Sequence, residues 1–154
     1  MNRFFRNLLA VTTGVVAVST LAAVPAQAQT INSGSCGAGY RQQDAFPLGD
    51  NMGASGAGVV FLYYNSSTGT NCAILRRDSR FKVTDGMGVS LKDSAGNSVA
   101  DGQRAYTRFA GPVYLKAPGR CVQVYGQLTG IWLTENSSYL EKEHHGGSGW
   151  VHCG

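Results

Sequence analysis

Val59-Val-Phe-Leu-Tyr-Tyr64 is followed by Asn65-Ser-Ser-Thr-Gly-Thr-Asn71 and then by Cys72-Ala-Ile-Leu75. The first run is too short for a helix and carries β-branched and aromatic residues without a polar interruption, so it reads as a strand buried on both faces. The middle run is dense in residues that hydrogen-bond their own backbone or tolerate turn conformations. The third resumes the strand pattern, and the whole is a β-hairpin with a long loop.

Working outward, the same rhythm recurs. Val89-Ser-Leu-Lys92 and Ser98-Val-Ala100 flank Asp93-Ser-Ala-Gly-Asn97, a second hairpin about Gly96. Arg104-Ala-Tyr-Thr-Arg-Phe109 and Val113-Tyr-Leu-Lys116 are expected as two strands divided by Gly111-Pro112. Pro118-Gly119 turns the chain into Cys121-Val-Gln-Val-Tyr125, Gly126 to Gly130 turns it again into Ile131-Trp-Leu-Thr134, and Trp150-Val-His-Cys153 closes the series. Gly49 to Gly58 and Gly146-Gly-Ser-Gly149 read as irregular, glycine-rich links. No useful stretch has helical period. Turn signals between short alternating runs predict an all-β fold, an antiparallel sandwich or barrel.

The start of the chain has a different character. Arg3 and Arg6 precede an uncharged run from Leu8 to Val24, and Ala26-Gln27-Ala28 is a small-x-small cleavage site. This is the pattern of an export signal, residues 1–28, cleaved after Ala28. The expected mature chain, 29–154, has the size of one β domain and is not membrane-embedded. Loss of Arg3 and Arg6 from 13 basic residues leaves 11 against 9 acidic ones, a net charge of +2. A scattered charge that small gives no nucleic-acid footprint.

Cys36, Cys72, Cys121 and Cys153 all lie beyond the leader. An even count in an exported chain predicts two disulfides in an oxidising space. Four cysteines allow three connectivities. Cys36–Cys72 with Cys121–Cys153 is favoured, because each bridge ties a terminal segment to a neighbouring strand. No two cysteines have zinc-knuckle spacing.

Signatures of catalysis are missing: no G-x-S-x-G elbow, no H-E-x-x-H, no P-loop and no dinucleotide fingerprint. Disulfide pairing would consume every thiol that could act as nucleophile. Asp78, Asp85, Asp93 and Asp101 stand at apparent turns, which self-bonding aspartates explain. The chain is therefore expected to be no enzyme and to carry no cofactor. Glu141, Glu143, His144, His145 and His152 include metal-ligand types, but successive residues of a strand point to opposite faces. A solvated, charged tail is the simpler reading, and no metal is assigned. A second candidate is a glycan-binding sheet face. If Arg104 to Arg108 is an outer strand, Arg104, Tyr106 and Arg108 share a side, with Tyr114 and Trp132 on neighbouring strands. Such a surface suits sugar rings through stacking and hydrogen bonding.

Several segments together resemble the spore-associated protein A family of filamentous, spore-forming actinobacteria. They are Gly34-Ser-Cys-Gly-Ala-Gly-Tyr40, Tyr64 to Cys72, Tyr106 to Lys116 with Ala110-Gly-Pro-Val-Tyr114, Gly119-Arg-Cys-Val122 and His152-Cys-Gly154. The resemblance implies a small exported protein found with spores or the outer surface, without an assigned reaction or catalytic residues to carry over. Glu141 to His145 lies outside the family pattern. The expectation is thus a secreted, non-catalytic cell-surface or spore-associated protein. Its partners would be cell-wall or spore-surface polymers, and the alternative is a glycan-binding module.

Overall fold

A computed structural model describes residues 35–49, 56–132 and 141–154. The expected leader, 1–28, and Leu133-Thr134 lie outside them. Eight strands run in chain order: β1 Arg41–Pro47, β2 Gly58–Asn65, β3 Thr70–Arg77, β4 Phe81–Asp93, β5 Ser98–Arg104, β6 Phe109–Lys116, β7 Val122–Trp132 and β8 Glu141–Gly147. They form two antiparallel sheets, β1-β2-β3-β6 and β5-β4-β7-β8, and no helix occurs among the described residues. The fold is an all-β sandwich, as the turn spacing predicts.

Alternation decides which side chains enter the core. Val60 and Leu62 of β2, Ala73 and Leu75 of β3, Met87, Val89 and Leu91 of β4, Val113 and Leu115 of β6, and Val122, Val124 and Leu128 of β7 fill the space between the sheets. Two-sided burial, expected for Val59 to Tyr64, belongs instead to the next strand. Val59, Phe61 and Tyr63 are only half-buried, whereas Cys72 to Leu75 is buried throughout. The reason is the path of residues 35–40. The disulfide from Cys36 to Cys72 pins them across β3, where Cys36, Cys72 and Ile74 pack with Tyr40, Tyr63, Phe109 and Tyr114 as a second apolar layer. The other bridge joins Cys121 to Cys153, so both favoured pairings are present.

Five expectations change. Gly126 and Gly130 do not turn the chain: β7 runs straight through them, and they are glycine because neighbours come too close for a side chain. Gly111-Pro112 does not divide two strands but lies inside β6, with a cis peptide. The closing strand reduces to an isolated bridge between Val122 and Val151. Glu141 to Gly147 is no solvated tail but edge strand β8, whose His144 is fully buried with its ring edge-on to Phe81 at 5.0 Å. Gly146 and Gly147, expected in an irregular link, belong to β8, and Gly146 is glycine because a Cβ there would approach Pro47 O to 2.8 Å. The Gly49–His145 bridge then stitches the two sheets together at that edge.

The β4–β5 turn is built on Asp93. Its Oδ1 accepts the Ala95 and Asn97 amides at 3.0 and 2.9 Å, and Oδ2 accepts Asn97 Nδ2 at 2.8 Å and Arg120 Nη1 at 2.9 Å. The side-chain bond from Asn97, with help from the backbone amides and the Arg120 charge, holds this carboxyl below its ordinary 3.8 despite burial. A folded-state pKa below the unfolded one gives stability that is present above pH 3.8 and is lost as pH falls through the folded value. Asp93→Ala is therefore expected to lower the melting temperature at neutral pH by roughly 5 °C or more. The same variant should flatten the acid limb of the melting-temperature profile. Thermal melts across the acid range check both.

Candidate functional site

The chain passes from one sheet to the other between β5 and β6, through Ala105 to Arg108. The strand expected over Arg104 to Arg108 is not formed. Its alternating Arg and Tyr suit a strand, but the amides here serve the crossover: Tyr106 N donates to Arg104 O at 2.7 Å, closing a tight bend. Arg77 anchors the segment from below. Its Nε donates to Thr107 O, and its Nη1 donates to the carbonyls of Asp78, Ser79 and Phe81 at 3.0, 3.2 and 2.7 Å. One guanidinium thereby ties the crossover to the turn that opens β4.

Asp101 of β5 holds the other side. Its Oδ1 accepts the Tyr106 hydroxyl at 2.7 Å and its Oδ2 accepts the Gly111 amide at 2.8 Å. Gly111 has φ 87°, and a Cβ there would sit 2.7 Å from Ala73 O, so glycine is required at this approach. The Tyr106 phenol is pushed above its ordinary 10.0, first by donating to the Asp101 carboxylate, then by burial and the Asp101 charge, while Arg104 opposes. The result is an open corner cleft of about 610 Å³, lined by Asp101, Tyr106, Thr107, Arg108, Phe109 and Pro112. It presents two aromatic rings, a carboxylate and an exposed guanidinium around one space.

The five residues proposed from sequence are thus split. Tyr106 and Arg108 line the cleft, whereas exposed Arg104 is outside its lining and only interacts with the Tyr106 hydroxyl. Tyr114 is elsewhere: its hydroxyl donates to Cys36 O at 3.2 Å and its ring meets Tyr40 edge-on at 5.6 Å, buttressing the 35–40 segment. Trp132 ends β7, and its side chain lies outside the described residues. Sequence reasoning missed Asp101 and Phe109 as cleft residues. The aspartate looked like one more turn former, and its role depends on a crossover that pattern alone does not reveal.

The acidic and histidine cluster is not brought together. His144 points into the core and His145 is exposed, on opposite faces as adjacent strand residues must be. The His145 ring stacks on Tyr125 at 6.4 Å. His152 lies beside Asp44, Nε2 to Oδ2 at 4.0 Å. Among the described residues no three His, Cys, Asp or Glu side chains are placed to hold a metal ion.

Comparison with known proteins adds one relative. Over 114 residues the chain is 32% identical to spore-associated protein A of Streptomyces coelicolor, a match covering 74% of this chain and 70% of that protein. No protein-family model matches the chain. No solved structure matches it either.

Proposed function

The chain belongs to the spore-associated protein A family, and on that footing we propose that it is an exported, non-catalytic surface protein that holds a polysaccharide of the cell or spore surface in its corner cleft. Two disulfides suit an oxidising space outside the cytoplasm. The observation that carries the binding reading is the convergence of Tyr106, Phe109, Arg108 and Asp101 on one open space. Aromatic faces stack on the C–H faces of sugar rings, and a guanidinium offers five donors to hydroxyl or anionic substituents.

Binding is favoured over catalysis because three of the aspartates, the cleft's own among them, are committed to the scaffold. Asp78 bonds Arg80, Asp93 bonds its own turn, and Asp101 bonds Tyr106 and Gly111. Asp44 and His152 stand beyond hydrogen-bond reach at 4.0 Å. The recess beside His152, about 280 Å³ and lined in part by Gln43, Tyr64 and Asn71, has no serine or threonine among its described lining residues to act as nucleophile.

The test is retention of the mature, oxidised protein on purified cell wall and spore-surface material. Tyr106→Ala and Arg108→Ala are each expected to weaken retention roughly tenfold, a loss of about 1.4 kcal/mol. Retention should also fall with added salt, since the arginine contacts lie at the surface. Equal retention of both variants and the parent would remove the cleft as the binding site.

A further inference from the structure

The outer face of the β5-β4-β7-β8 sheet carries an arrangement that the core does not require. Register places Gly88 beside Gln127 and Gln127 beside His145, and in the next row Ala100 beside Ser90 and Ser90 beside Tyr125. A solvent-facing antiparallel face ordinarily carries charged cross-strand pairs. Among the described residues these two rows hold no Lys, Arg, Asp or Glu, and Lys92 and Glu143 come only beyond them.

The polar groups at that centre are linked across strands. Gln127 Nε2 donates to Gln103 Oε1 at 2.9 Å, and Gln103 Nε2 donates to Thr129 Oγ1 at 3.1 Å. A carboxamide has two N–H donors and an acceptor oxygen, so each glutamine keeps hydrogen-bonding capacity after these bonds. Next to them Tyr125 is 42% exposed, a large aromatic left in water, and its ring is held by the stack with His145. Between these groups lies a recess of about 180 Å³ whose lining includes Gly88, Ser90, Ala100 and Gly102.

Gly102 is the informative member. Its φ is not in the left-handed region, and a Cβ there would meet nothing within 4 Å. Neither backbone conformation nor packing calls for glycine, and what its missing side chain does is leave the recess open. Gly88 differs: a Cβ there would come within 3.1 Å of Gln103 N.

The geometry points to a second binding site on this sheet face, for a neutral polysaccharide. An ordered ring supplies stacking, and fixed amides and a hydroxyl supply hydrogen bonds to sugar hydroxyls. The one carboxylate in the lining, that of Asp101, is already bonded to the Tyr106 hydroxyl and the Gly111 amide, so it offers little to a charged ligand. A protein partner of ordinary size would need about 800 Å² with an aromatic or apolar centre, and Tyr125 stands as the one exposed large apolar side chain lining this recess. The site is independent of the corner cleft, although Asp101 borders both recesses.

The experiment is calorimetric titration of the mature, oxidised protein with chitohexaose and cellohexaose, two uncharged β-linked hexasaccharides. At least one is expected to bind. Tyr125→Ala, Gln127→Ala and the recess-filling Gly102→Leu are each expected to weaken that binding at least tenfold with the melting temperature unchanged. Arg108→Ala should leave it intact, so failure here is distinguishable from failure of the cleft reading. Binding of neither hexasaccharide, or equal binding by the three folded variants, overturns the proposal. So does sedimentation showing that the variants break a dimer while sugar binding persists.

Discussion

Full reduction of the protein is expected to lower its melting temperature by about 20 °C or more and to leave much of it unfolded at physiological temperature. The bridges close segments of 36 and 32 residues, and loop-closure entropy assigns each about 4 kcal/mol. Together they amount to as much as the net stability of an ordinary domain, roughly 5–15 kcal/mol, and each kilocalorie corresponds to several degrees. The two are not equivalent. Cys36 and Cys72 are buried and hold residues 35–40 over Ile74, with the Tyr114 hydroxyl bonded to Cys36 O. Losing that bridge frees the cover of β3 as well as the loop. Cys153 is exposed, so its bridge should be reduced first. Melts of Cys36→Ala/Cys72→Ala and Cys121→Ala/Cys153→Ala, with thiols counted by mass spectrometry, should place the first pair lower. An unchanged melting temperature after verified reduction of both bridges would contradict the account.

Gly126→Val should be strongly destabilising. Gly126 lies on the inward side of β7, between Val124 and Leu128, and faces Val60 of β2. A Cβ there would overlap Val60 Cγ2 and lie 3.5 and 3.6 Å from Leu48 and Leu75. Room for a valine exists only if the sheets separate, and overpacking of a filled core costs on the order of 3 kcal/mol. The comparison is Gly149→Ala, where nothing lies within 4 Å and a change near zero is expected. Chemical denaturation of the two variants reads the difference directly. A Gly126→Val midpoint matching the parent would mean that the sheets do not close over β7 as described.

The same glycine explains where the sequence could and could not be read. The hairpin about Asn65 to Gly69 and the Asp93 turn depend on local chemistry, and they are legible; the cysteine pairings are favoured because each ties a terminal segment to a neighbouring strand. Val122-Gln-Val-Tyr-Gly-Gln-Leu-Thr-Gly130 also alternates cleanly, with Val122, Val124, Gly126, Leu128 and Gly130 inward. Reading Gly126 as a turn cut that strand and hid the Tyr125, Gln127 and Thr129 face. A glycine that lets another backbone approach looks identical in sequence to one that reverses the chain; only the partner strand separates them. The corner cleft was half legible for a similar reason. Tyr106 and Arg108 stand out by type, but Asp101 and Phe109 join them only because the chain changes sheets at Ala105 to Arg108. Glu141 to His145 misled through its charge: a single buried histidine suffices to seat an edge strand whose other side faces water.

The most direct test of the central claim, that this disulfide-locked sandwich holds surface polymer at its β5–β6 corner, is an amide NMR titration of the mature, oxidised protein with solubilised cell-wall polysaccharide. The account predicts concentration-dependent shifts at Asp101 and from Tyr106 to Gly111, lost in Arg108→Ala. Saturating polysaccharide that leaves those amides unmoved would contradict it.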